Sequence, residues 1–414
     1  MRRPAKTRLA GTLAAIPICA ILLSEAATSQ TLPGQVLNNQ INLGDVFAEQ
    51  SLNVQTVSDG ISATTTAPAN SAFVSVQNAD ATMTSNQENS GQVLAHGVVN
   101  VSAYGGTASN ITTTAVGNAG TAAAVEGTLT GRATQLNTAA VTARSQLEGD
   151  GAAFGDLSIS TLASGNTHGL TLINGAMGAR VSQGNTANTL ADGGAIATYV
   201  SGTAAVAGTA TGNNITLSGS QQSAARVITE QSSSGITQAS KFTAYGNAYL
   251  SSTVATASAN NLSATNEGPL LDVTSSQYNA GYVRAQAEAT SYEFGAAQVG
   301  AHGVGNSALV GNTGQEVVLD NTQTNEGGGV EVIASLGGDT GYDGVASATA
   351  MGNAVTGYAC SDCSGRMTVN NNQTNSADIG ARTTVSVVHS GRSIVGVTTA
   401  TGNNASFYVS SPTN

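Results

Sequence analysis

The chain has 414 residues, of which 50 are Gly, 9% are charged and 4% are aromatic, with no Trp and a formal net charge of −11. So few bulky apolar residues exclude the core of an ordinary globular enzyme, and so few Lys and Arg exclude a nucleic-acid or anionic-lipid surface. With only six Pro and many alternating Val, Thr and Ala, the composition also departs from that of disordered chains.

The N-terminal stretch reads as a secretory signal peptide over residues 1–29, followed by one repeat domain over residues 30–414. Arg2, Arg3, Lys6 and Arg8 form a basic start, Leu9 to Leu23 is mostly apolar, and small residues follow, with cleavage expected between Ala27 and Gln30. Ile18 stands before Cys19 where a lipoprotein signal needs a small residue, so the ordinary signal is the expectation. Without residues 1–29 the chain carries nine Lys and Arg against 23 Asp and Glu, a net charge of −14. That balance serves solubility and leaves room for a cationic partner.

From residue 40 onward two landmarks recur in one phase. A short sequence ends in Asn at Asn70, Asn118, Asn166, Asn213, Asn260, Asn306, Asn353 and Asn403, at intervals of 46 to 50 residues. Gly precedes six of these, and Ala69 and Ala259 precede the others. Gln opens a Gln-x-Asn motif at Gln40, Gln87, Gln135, Gln183, Gln277, Gln323 and Gln373, and the copy at Gln231 has become Gln-Ser-Ser. A fixed period of this size means a repeat architecture. The period predicts an all-β repeat protein, a parallel β-solenoid (β-helix) of about eight repeats of ~47 residues. Stacked Asn and Gln form side-chain ladders that satisfy buried amides and fix register, which explains why these positions recur while neighbours drift. Gly before Asn suggests a corner, since both tolerate left-handed backbone. One coil per repeat and two coils of roughly 23 residues both fit the spacing, giving a stack of about 38 Å or 77 Å.

Each repeat has a short arm, from marker to Gln, and a long arm. The short arm is expected to hold one brief strand, as at Asn214 to Ser218 or Glu316 to Leu319. The long arm opens with β-branched runs such as Val330 to Ser335 and Arg382 to Val388, turns at Gly337 to Gly341 or Ser390 to Arg392, and returns through Val345 to Ala350 or Val395 to Ala400. Cys360 and Cys363 fall in a short inserted loop, where an exported protein is expected to form a local disulfide. A transmembrane barrel also fits a signal with alternating strands, but the aromatic girdles it needs are absent.

Little in the chain reads as chemistry, and no cofactor is expected. His96, His168, His302 and His389 lack Cys or carboxylate partners in sequence and read as surface or turn residues. Glu148, Asp150 and Asp156 form one acidic cluster, and Asp339 and Asp343 another that resembles a single Gly/Asp-rich calcium turn. Solvated turns are the expectation for both, with a polysaccharide-cleaving carboxylate pair as the catalytic alternative.

Gly303-Val304-Gly305-Asn306-Ser307-Ala308 and Thr401-Gly402-Asn403-Asn404-Ala405 resemble curlin-type repeats, although curlin repeats are about half as long. In size, composition and degenerate Gln/Asn landmarks, the mature chain is similar to the holdfast attachment (anchor) proteins of stalked alphaproteobacteria, the HfaD family. The resemblance implies a surface protein that ties an adhesive polysaccharide to the outer membrane. It also implies other surface anchor proteins and an outer-membrane secretion lipoprotein as partners. The alternatives are self-association into amyloid-like fibres through open solenoid ends, and a polysaccharide-degrading β-helix enzyme.

Overall fold

The structure is a computed structural model that describes residues 33–360 and 365–410. The signal-peptide segment and Cys363 lie outside the described residues. All regular structure described within the unit Pro33–Asn414 is β-strand.

Two parallel sheets account for it. Gly34–Asn42, Asp80–Asn89, Thr128–Asn137, Ala176–Asn185, Ala224–Ser233, Leu270–Asn279, Glu316–Asn325 and Arg366–Asn375 stack in sequence order as an eight-stranded sheet. The remaining strands form an eleven-stranded sheet, in which long strands such as Val283–Asn312 and Val330–Ala359 lie side by side. In the first coils the long strand is divided, as into Val93–Tyr104 and Ala108–Val125. Every strand pairs with its counterpart one full repeat away: Gln277 opposes Gln323, which opposes Gln373, and Asn260 opposes Asn306. One repeat is therefore one coil of a β-solenoid. At about 4.8 Å per coil, eight coils rise roughly 38 Å.

Each coil is flattened into two layers. The first half of the long strand meets its own return half in one apolar cluster, where Ala285 and Ala287 share the core with Val299 and Ala301. The end of the long strand faces the following short strand in a second cluster of Ala308 and Val310 with Val317 and Leu319. Ala and Val suffice because the layers are close and each coil rests on its neighbours. At the tip of the long arm the strand bends without leaving the sheet, and the register passes over Tyr292 and Gly295.

Two expectations need correction. The short arm holds two strands in opposite layers: Asn214 to Ser218 is the tail of Thr189–Ser220, whereas Glu316 to Leu319 opens Glu316–Asn325. The turn between the layers is hidden in sequence because the first four coils make it with non-glycine residues at positive φ. Asn78 (51°), Glu126 (51°), Asn174 (50°) and Gln221 (60°) hold it, and only Asn is a usual occupant of that region. The Gly before the marker Asn is not a left-handed corner either. Gly117, Gly165, Gly305 and Gly352 have ordinary φ and lie inside continuous strands. A Cβ on Gly305 would sit 2.5 Å from Asn325 Oδ1 and 2.6 Å from the Gly352 carbonyl oxygen. Gly serves close packing between the layers at mid-coil.

Candidate functional site

The marker Asn side chains point into the coil centre and form one continuous column. Asn70, Asn118, Asn166, Asn213, Asn260, Asn306, Asn353 and Asn403 are linked in that order, each Nδ2 donating to the next Oδ1 at 2.8 Å. The second N–H crosses the core to the middle residue of Gln-x-Asn, as from Asn306 to the Thr324 carbonyl (2.8 Å). The Gln column runs beside it with opposite polarity. Gln87 donates to Gln40, Gln135 to Gln87, Gln183 to Gln135, Gln231 to Gln183, Gln277 to Gln231, Gln323 to Gln277 and Gln373 to Gln323, at 2.7–3.0 Å. Each Gln also donates across the core to the residue after the marker Asn, as from Gln323 to Ala354 (3.0 Å). The interior amides from Asn118 to Asn353 are fully buried. Two antiparallel chains of amide dipoles thus close the gap between the apolar clusters with their N–H groups satisfied.

The Asn of Gln-x-Asn forms a third column that sequence reasoning did not single out, though the motif itself was the signal. Asn42, Asn89, Asn137 and Asn185 are linked at 2.8 Å, and so are Asn279, Asn325 and Asn375 at 2.7–2.8 Å. Asn42, Asn137, Asn185, Asn279 and Asn375 also fix the turn that follows, as Asn279 does by donating to the Gly281 carbonyl (3.0 Å). The column breaks at Ser233, whose Oγ is buried without a partner, and Asn185 turns instead to Thr189 (3.3 Å). Gly212 faces Ser233 and leaves room for a larger side chain. Ser233→Asn is expected to join the two segments and stabilise the fold by about 1 kcal/mol, near the net worth of one hydrogen bond. An unchanged denaturation midpoint would show that the column contributes nothing across this coil.

Polar residues also interrupt the apolar core. Lys241 is buried among Ala and Thr, and its Nζ donates to Thr161 Oγ1 (2.7 Å) and the Asp192 carbonyl (2.8 Å). Gly208 gives its stem room. Burial lowers its pKa to about 7, opposed by the Asp192 carboxylate and assisted by Arg144. His168 is buried rather than a surface or turn residue as the sequence suggested, because it continues an inward-facing row toward Leu170 and Leu172. Burial brings its pKa down to about 4. His302 is lowered for the same reason.

The acidic clusters lie along the long-arm edge. Asp150 and Asp339 line one groove of about 610 Å³, yet they belong to the third and seventh coils, roughly 19 Å apart at the solenoid spacing. Glycoside hydrolysis needs carboxyl groups within about 9.5 Å. Asp343 is paired with Arg392, Asp156 accepts from the Thr203 amide (2.8 Å), and Glu148 from Gln146 (2.6 Å). Among the described residues no three His, Cys, Asp or Glu converge as a metal site. Cys360 is disulfide-bonded. No helix among the described residues is long and apolar enough to cross a membrane.

Fold and interior define a class: a repetitive β-solenoid whose register is carried by columns of stacked amides. Within that class the chain belongs to the HfaD family, Holdfast attachment protein D, whose model matches residues 55–329. It is similar to Holdfast attachment protein D of Caulobacter vibrioides, with 58% identity over 69 residues. That match covers 17% of this chain and 23% of the relative's length. No solved structure matches the chain.

Proposed function

We propose that this chain is a cell-surface structural protein that ties an adhesive polysaccharide, the holdfast, to the outer membrane. Membership of the family carries the reading. The architecture supports it, because the interior Asn and Gln amides are committed to the columns and the chain presents a long regular exterior for recognition. Repeated weak contacts along such an exterior add up through effective concentration. The signal over residues 1–29 would export the chain, and Cys360 with Cys363 would staple the inserted loop. Retention would depend on other surface anchor proteins and an outer-membrane secretion lipoprotein. The Asn and Gln columns serve as scaffold, not as a binding site. In a deletion strain, labelled polysaccharide is expected to be made but shed into the medium or left on the substrate. Polysaccharide retained on cells with normal adhesion would overturn the anchoring role.

The end coils favour a second reading, end-to-end self-association. Leu37 is exposed on the first strand, and Val388 and Tyr408 on the last. The columns end with complementary polarity: Gln40 occupies the donor end and Gln373 the acceptor end of one column, and the Asn70–Asn403 column runs oppositely. Concentration-dependent oligomers of the purified chain would support stacking, and a strict monomer at high concentration would exclude it.

A further inference from the structure

We infer that a slot at the tip of the long arm, between Tyr249 and Tyr342, is the sugar-binding subsite, and that it takes a pyranose chain without carboxylates. The inference rests on the polysaccharide reading above and places recognition at one edge. Ala248, Phe294 and Gly341 are paired across three successive coils, as are Leu250, Ala296 and Asp343. Tyr249, Gly295 and Tyr342 therefore occupy one column. Both tyrosines are 62% exposed, and the glycine between them contributes no side chain. The gap between their backbones spans two coil spacings, about 9.6 Å, and the Tyr249 ring leans over part of it, its Cδ2 3.3 Å from where a Cβ on Gly295 would sit. The gap forms a cavity of about 380 Å³, open to an adjoining groove of about 640 Å³ that reaches Tyr199, Asn247, Glu293 and His389.

Those groups suit a carbohydrate. An aromatic ring presents a negative face to the weakly positive C–H groups of a pyranose, while a few convergent polar groups fix orientation. Asn247 Nδ2 donates to Glu293 Oε2 (2.8 Å), which leaves Asn247 Oδ1 and Glu293 Oε1 as acceptors for hydroxyl or amino donors. The groove runs along the stack, so its period of about 4.8 Å is close to the length of one sugar in an extended chain. Charge sets the class. Arg392 at the slot is already paired with Asp343, while Glu293 borders this groove and Asp339 the neighbouring one. A polyuronate is repelled, and a neutral or amino-sugar chain is accepted.

The test is calorimetric titration of the full mature chain with β-1,4-linked glucosamine and N-acetylglucosamine oligomers and with polygalacturonate. The first two are expected to bind and the third not to. Tyr249→Ala and Tyr342→Ala should each weaken binding by about tenfold, the upper range for one aromatic contact, while Phe73→Ala, at an exposed aromatic elsewhere, should leave it unchanged. Circular dichroism confirms that the variants fold. Binding unaffected by both tyrosine changes would overturn the slot and leave polysaccharide anchoring standing. Stronger binding to polygalacturonate would overturn the charge argument, and no binding by the parent chain to any of the three would overturn the inference. Anchoring itself is judged separately by polysaccharide shedding from the deletion strain.

Discussion

Asn306→Leu is expected to lower stability by between about 3 and 9 kcal/mol, because it orphans two buried partners and one half-buried partner at about 1–3 kcal/mol each. Asn260 loses the Oδ1 that accepts its amide, and the Thr324 carbonyl and Asn353 Oδ1 each lose a donor. Nothing nearby can replace them, since Gly305 brings the opposite layer into direct contact. The break falls in an inner coil, and in a stacked repeat the coupling between neighbours carries cooperativity. Protease cleavage should therefore appear around the sixth coil before the rest of the stack opens. Asn370→Leu, on an exposed outward position, should change stability by no more than about 0.5 kcal/mol. Equal denaturation midpoints for the two variants would show that the column is a passenger of the backbone pairing.

Lys241→Met should stabilise the fold near neutral pH. The ammonium is held at a pKa of about 7 against the ordinary 10.5, chiefly by burial. Between those values the unfolded chain binds a proton that the folded chain does not. Stability therefore rises with pH across that window by up to about 1.4 kcal/mol per unit. The penalty is fully present below pH 7 and gone above 10.5. Met keeps the stem's packing beside Gly208. It forfeits the bond to the Asp192 carbonyl, while Thr161 retains its contact with Ser145. Removing a buried charge in this way commonly gains about 1–4 kcal/mol. The measurement is the difference in unfolding free energy between parent and variant at pH 7 and pH 9.5. The gain should shrink sharply at the higher pH. A variant less stable at pH 7, or a gain independent of pH, would mean that Lys241 is not buried as an uncharged amine. His168 acts in a lower window: with its pKa near 4, the folded state loses stability as pH falls below about 6.5.

The repeat and its columns were legible because parallel stacking brings identical side chains together one coil apart, so selection for register becomes a period in the sequence. Gln231 kept its place in the column even though the rest of its motif changed. The number of coils per repeat was not legible, because Glu126 and Gln221 make a left-handed turn that no local residue preference announces. Lys241 was missed because a lone Lys in a strand is read as outward. Its parity with Ala239 and Thr243 places it inward, and the exposed Phe242 beside it is the visible sign. The tyrosine slot is equally silent in sequence. Tyr249, Gly295 and Tyr342 are related only once the coils are in register.

That each repeat makes one whole coil has a mechanical meaning. A chain pulled at its ends along the stack must give way coil by coil, since the neighbours of an opened coil keep their own pairing. One freed coil of about 47 residues pays out roughly 160 Å of extended chain. Eight such events would absorb work over a distance many times the height of the folded stack. A solenoid built this way yields in steps under a sudden load.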